Sequence, residues 1–131
     1  MPSISRYMTV QPWTVERTAT LADAHRIMRE HRIRHLPVLD AGQLVGIVSQ
    51  GDLHLLETLA DLPLGVMKVE EAMTERPFIV TSDAAIDEVV EIMASKKYGS
   101  AIVMGRGGIE GILTTNDVCR ALADVLHQAT A

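Results

Sequence analysis

The chain has 131 residues, 47% of them hydrophobic and 22% charged, with a formal net charge of −5. This is a globular balance, enough for one compact domain or two very small ones, and it excludes a disordered chain. The acidic balance supplies no basic field for nucleic acid or an anionic membrane surface, and no apolar run approaches the length of a bilayer span.

The start, "MPSISRYMTV", lacks the apolar core of a signal peptide, and the lone Cys119 cannot form an internal disulfide. A cytoplasmic protein is the expectation from both. Beyond Met8-Thr9, a short extended piece, Trp13–Val15, follows Pro12, which disfavours helix before it. Leu21, Ala24, Ile27 and Met28 then recur at helical spacing and predict a helix over Leu21–His31, started by Thr20 with Asp23. "HLPVL" (His35–Leu39) and "QLVGIV" (Gln43–Val48) read as strands joined by a tight turn through Asp40-Ala41-Gly42. A second helix begins near Asp52 and carries Leu53, Leu55, Leu56 and Leu59. Asp61–Lys68, with Pro63 and Gly65, reads as a connection.

The layout then recurs. An extended piece at Phe78–Thr81 precedes a helix over Ala85–Lys97, with Ile86, Val89, Val90 and Met93 on one face. Strands at Ser100–Met104 and Ile109–Leu113 flank the glycine-rich turn Gly105–Gly108, and a last helix near Asp117 carries Val118, Ala121, Leu122 and Val125. A shift of 65 positions aligns the chain on itself without a gap. Met8-Thr9 falls on Met73-Thr74, Ile27-Met28 on Ile92-Met93, Gly46-Ile47 on Gly111-Ile112, and Asp52 on Asp117. The chain is one motif written twice.

The expected architecture is therefore α+β (α/β): two β-α-β-β-α repeats, residues 1–60 and 69–131, joined by residues 61–68. One half alone buries little surface and would be marginal, so pseudo-twofold pairing, sheet to sheet, is expected. Such pairing leaves a cleft between the halves, with one strand-to-helix junction near either end.

Those junctions are "GIVSQGDL" and "GILTTNDV". Ser49-x-x-Asp52 and Thr114-x-x-Asp117 fit capping boxes, and equally the hydroxyl and carboxylate of a nucleotide site at a helix start. A metal site is not expected: His31 and His35 are four apart, but Leu36-Pro37 prevents a continuous helix across them, and His25 adds only a third histidine. Most methionines are expected to fill the core, and Cys119 to lie buried beside the last helix's apolar stripe. No nucleophile–base set or phosphate-cradling glycine loop emerges, so no enzyme and no catalytic residue is expected.

From Tyr7 to Leu126 the sequence resembles the CBS-domain family, and in particular its tandem pair, the Bateman module. The resemblance rests on "YMT" and "AMT", on "RHLPVLD", and on the two junctions, in order and doubled. It implies a stand-alone regulatory module that binds AMP, ADP, ATP or S-adenosylmethionine between the repeats, pairs as a homodimer and signals to an effector protein. It assigns a ribose to Asp52 and Asp117, a phosphate or ribose contact to Ser49 and Thr114, and the base pocket to Ile47 and Ile112. Residues at the entry to the second strand of each copy would also face the ligand, often from the other repeat.

A stronger site would thus combine Asp117, Thr114 and Ile112 with Arg34, His35 and Thr9. A weaker one would combine Asp52, Ser49 and Ile47 with Gly99, Ser100 and Thr74, where no cation is supplied. Gly51 and Asn116 stand where a second hydroxyl often precedes the aspartate, and Trp13 is large enough to obstruct a cleft, which disfavours ATP. The other reading is a ligand-free dimerisation module, with the leucine-rich helix Leu53–Leu59 as its face.

Overall fold

In the computed structural model, the helices that follow Thr20 and Ser49 begin at full capping boxes. The structure describes residues 2–63 and 65–130. Met1 and Ala131, at the ends of the two expected repeats, and Leu64, within the expected connection, lie outside them.

In the first repeat, β1 (Thr9–Val10) and β2 (Val15–Glu16) precede α1 (Leu21–His31). Thr20 caps α1 reciprocally with Asp23: each side chain accepts the other's backbone N–H at 3.1 Å. Leu21, Ala24 and Met28 form its buried stripe, and Arg32 ends it in the left-handed conformation. β3 (His35–Asp40) and β4 (Gln43–Ser49) then form a hairpin whose turn has positive φ at both Ala41 and Gly42, as a tight two-residue connection requires. α2 spans Gln50–Ala60.

The second repeat supplies β5 (Ile79–Val80), α3 (Ile86–Lys96), β6 (Ser100–Gly105), β7 (Gly108–Thr114) and α4 (Thr115–Thr130). A register shift falls between Val38 and Leu39 in one hairpin and between Val103 and Met104 in the other, the same place in both copies. Among the described residues the fold is mixed α+β with two sheets and four α-helices.

The repeats exchange their leading segments. One compact unit runs Trp13–Pro77, and the other joins Met1–Pro12 to Phe78–Ala131. In the second unit, Thr9 of β1 pairs with Ile112 of β7, giving the sheet order β1-β7-β6-β5. In the first, whose sheet order is β2-β3-β4, Thr74 bridges Ile47 through bonds of 3.0 and 2.8 Å between their backbones. The flanking contacts obey the same 65-residue shift: Ile4 N–H donates to Ala84 O, and Val69 N–H to Ala19 O, both at 2.8 Å.

Each exchanged segment delivers a fully buried anchor. Ile4 joins Val89, Met93, Ala101, Val103 and Leu113, while Val69 and Met67 join Leu21, Leu36, Val38, Val48 and Leu53. Both anchors sit on single 3-10 turns, Ile4–Arg6 and Val69–Glu71.

The close approach also explains two glycines. A Cβ on Gly46 would lie 2.6 Å from Thr74 O and 2.8 Å from Met73 Sδ. On Gly111 it would lie 2.9 Å from Thr9 O and 2.7 Å from Met8 Sδ. A backbone carbonyl held by a ladder cannot retreat, so Gly46→Ala and Gly111→Ala should each lower stability by about 1–3 kcal/mol in urea denaturation. Gly107→Ala, where the new methyl meets nothing within 4 Å and φ is unexceptional, should be nearly neutral.

Candidate functional site

The two strand-to-helix junctions differ in what they gather. At the end of β7, the Thr114 N–H donates to Asp117 Oδ2 at 2.9 Å, and the Thr114 hydroxyl donates to the same oxygen at 3.2 Å. The Thr9 hydroxyl, delivered by the β1–β7 pairing, donates to Asp117 Oδ1 at 3.2 Å. Arg120, one turn along α4, pairs with Oδ1 as well. Asp117 is 2% exposed. Burying a carboxylate costs several kcal/mol unless it is paired and bonded, and here a guanidinium, two hydroxyls, an N–H and the positive end of α4 offset that cost.

The first junction is plainer. Ser49 and Asp52 form a full capping box: Ser49 N–H donates to Asp52 Oδ2 at 2.9 Å, and Asp52 N–H to Ser49 Oγ at 3.1 Å. Among the described residues the Asp52 carboxylate has no other hydrogen bond. Thr74 is exposed and meets this unit through its backbone pairing with Ile47.

Thr9, Ile112, Thr114 and Asp117 are therefore brought together, as are Thr74, Ile47, Ser49 and Asp52. Gly99 and Ser100 lie at the start of β6: Gly99 O accepts from Thr115 N–H at 3.2 Å, and Ser100 stands opposite Thr114. Arg34 and His35 hold the matching places in the first unit, with Arg34 O accepting from Gln50 N–H at 2.9 Å and His35 opposite Ser49.

Three further features were not read from the sequence or are corrected by the structure. Arg120 was missed; a cation three residues after a carboxylate on one helix was its only signal, and Leu55 occupies the place in the first repeat. Cys119 is exposed rather than buried, because burial on α4 is confined to its first turn and Leu122, Val125 and Leu126 stand in solvent. Trp13 stacks on the His31 ring at the end of α1, with centroids 3.7 Å apart and planes 13° off parallel.

Residues 4–55 and 69–124 each match the CBS domain family. The chain belongs to the CBS-domain family. As a tandem CBS pair it is similar to the Vibrio cholerae protein AcuB, 32% identical, with a TM-score of 0.86 over 100% of this chain and 98% of that one. The CBS pair of protein MJ0100, in complex with 5-methylthioadenosine and S-adenosyl-L-methionine, is 24% identical, with a TM-score of 0.82 over 92% and 98% of the two chains. CBSX2 in complex with AMP is 22% identical, with a TM-score of 0.81 over 95% and 99%.

A 17.7 kDa protein from the bps2 3' region of Acidianus ambivalens is 29% identical across 93% of this CBS pair and 74% of that protein. The inosine-5'-monophosphate dehydrogenase of Korarchaeum cryptofilum is 34% identical over 106 residues, but the CBS pair spans only 21% of that enzyme's length. Among the described residues no helix is long and apolar enough to cross a membrane.

The His35 imidazole is pushed below its ordinary value chiefly by burial; the Asp52 carboxylate opposes the shift and Arg34 adds to it. The unfolded chain therefore takes up this proton first. Stability is retained above the ordinary imidazole value of about 6.5 and is lost as pH falls through the window below it. Denaturation midpoints measured from pH 7.5 downward should fall less steeply for His35→Gln than for the unaltered protein, while the two run parallel above about pH 7.

Proposed function

We propose that this CBS pair is a non-catalytic sensor that binds an adenosine-containing ligand at the Asp117 junction and transmits binding to a partner protein. The observation that supports this reading is the pair of threonine hydroxyls, Thr9 and Thr114, donating to one buried carboxylate. A ribose cis-diol offers the same two donors to the same acceptor, so ligand binding exchanges like for like, with Arg120 still balancing the charge. Thr9 and Asp117 also come from different repeats, so a ligand there touches both ends of the exchange that builds the unit.

Ligands named for similar pairs, AMP, S-adenosyl-L-methionine and 5-methylthioadenosine, share an adenosine core. ADP and ATP extend the same class. Ile112 is assigned to the base, and Arg34 with His35 to a phosphate or other anionic group. Asp52, Ser49, Ile47, Thr74, Gly99 and Ser100 form the weaker site, whose acid holds only its own helix cap. The address proposed is the cytoplasm, with neither nucleic acid nor membrane as partner.

A homodimer is part of the proposal. Leu55 and Leu59 on α2, and Leu122, Val125 and Leu126 on α4, are each more than half exposed, and apolar helix faces of this kind mark contact surfaces. Sedimentation should give a dimer for the unaltered chain and a monomer for Leu59→Glu with Leu122→Glu. A dimer that survives both substitutions places the contact elsewhere.

A thermal-shift panel of AMP, ADP, ATP, S-adenosylmethionine, NAD and cyclic dinucleotides tests the ligand. At 100 times its dissociation constant the right compound stabilises by about 2.7 kcal/mol, a rise of several degrees for a chain of this size. Asp117→Asn should abolish that rise and Asp52→Asn should leave most of it. The reverse pattern overturns the site assignment, and a flat panel confirmed by calorimetry favours the ligand-free dimerisation module.

A further inference from the structure

The two repeats carry different chemistry where α1 meets α2. His25 lies in the second turn of α1, and His54 and Glu57 lie three residues apart on one face of α2. His25 Nε2 contacts Glu57 Oε1, and His54 Nδ1 is 3.8 Å from Glu57 Oε2. The two imidazole rings are 5.4 Å apart, and one ligand atom from each of the three side chains lies within 4.8 Å of the other two. We infer that His25, His54 and Glu57 form a site for a divalent transition-metal ion of the zinc class, separate from the adenosine site.

The donor set is the first argument. Two imidazoles and one carboxylate suit zinc or cobalt and are poor ligands for calcium or magnesium, which take oxygens. Around a tetrahedral ion with bonds near 2.0–2.1 Å, ligand atoms sit about 3.4 Å apart. The three groups already stand within 4.8 Å, so small side-chain rotations on the two helices close the set. His25 and Glu57 are mostly buried, with side chains 18% and 24% exposed, whereas that of His54 is 62% exposed. The ion therefore rests on two mostly buried ligands, His54 approaches it from the solvent side, and water takes the fourth position.

The second argument is internal to the chain. The positions 65 residues on are Val90, Cys119 and Leu122. The same motif is thus made without histidine or carboxylate at these places, so the backbone does not require them. All three positions differ together: the second repeat keeps one residue of a ligating type, Cys119, and the first has three.

The test uses tag-free, chelator-treated full chain titrated with cobalt chloride. One equivalent should bind, with the visible absorption of four-coordinate cobalt, and zinc chloride should displace it and raise the melting temperature. His25→Val and Glu57→Leu take the residues that the second repeat carries, which keeps them compatible with the fold, and His54→Ala removes the third ligand. Each should weaken cobalt binding at least tenfold while the circular dichroism stays that of the unaltered chain. Absence of a saturable site, or cobalt binding that persists in His25→Val with Glu57→Leu, overturns the inference.

Discussion

The structure depends on the contact between each Met-Thr segment and the glycine of the other repeat's hairpin. Gly46 and Gly111 let a neighbouring backbone come closer than any side chain allows, and Thr74 and Thr9 fill that space. Two short segments gain sheet partners in this way, and two anchors, Ile4 and Val69, reach cores that their own repeats do not provide. A strand of two residues has almost no stability of its own. What holds β1 in place is the ladder to β7 on one side of it and the burial of Ile4 on the other, so the entry segment and the hairpin are stable only together.

The same constraint shapes the junction at Asp117. Because β1 is pinned to β7, the Thr9 hydroxyl is fixed beside Asp117, which the sequence places 108 residues away. A carboxylate as buried as Asp117 tolerates its charge through Arg120 and the surrounding donors. Asp52 stays at an ordinary helix start, where the capping box alone satisfies it. One motif therefore yields two junctions of different character, and the difference lies in the residues around each aspartate. Ser49 accepts the Asp52 N–H, whereas Thr114 turns its hydroxyl toward the Asp117 carboxylate.

Much of the fold was legible because it rests on local chemistry. The 3.6-residue stripe of Leu21, Ala24 and Met28, the Thr20–Asp23 box and the turn at Ala41-Gly42 are all short-range signals, and the repeat itself is visible as identity at a fixed shift. The exchange of leading segments was not legible: two-residue strands carry no period, and nothing local says which hairpin they join. At the site, the threonine–aspartate pairs could be listed from sequence, but Arg120 reads there as one more charge on a solvated helix. His31 and His35 are neighbours in sequence, whereas packing joins His25 to His54 and Glu57 across two helices.

An internal repeat makes it possible to separate what the fold requires from what this chain adds. Positions that match across the shift, Gly46 with Gly111, Met73-Thr74 with Met8-Thr9 and Asp52 with Asp117, are those the exchange and the helix starts need twice. Positions that diverge are free of that demand. Arg34 against Gly99, His35 against Ser100, and Arg120 against Leu55 all place a cationic or titratable group in one copy and a small or apolar residue in the other. A polar or charged group in a partly buried position costs stability unless something compensates it. At Asp117 the compensation is visible in its four donors. At His35 it is incomplete, which is why burial shifts the imidazole toward its neutral form. The divergent positions are therefore where the two copies of one motif acquire unequal chemistry.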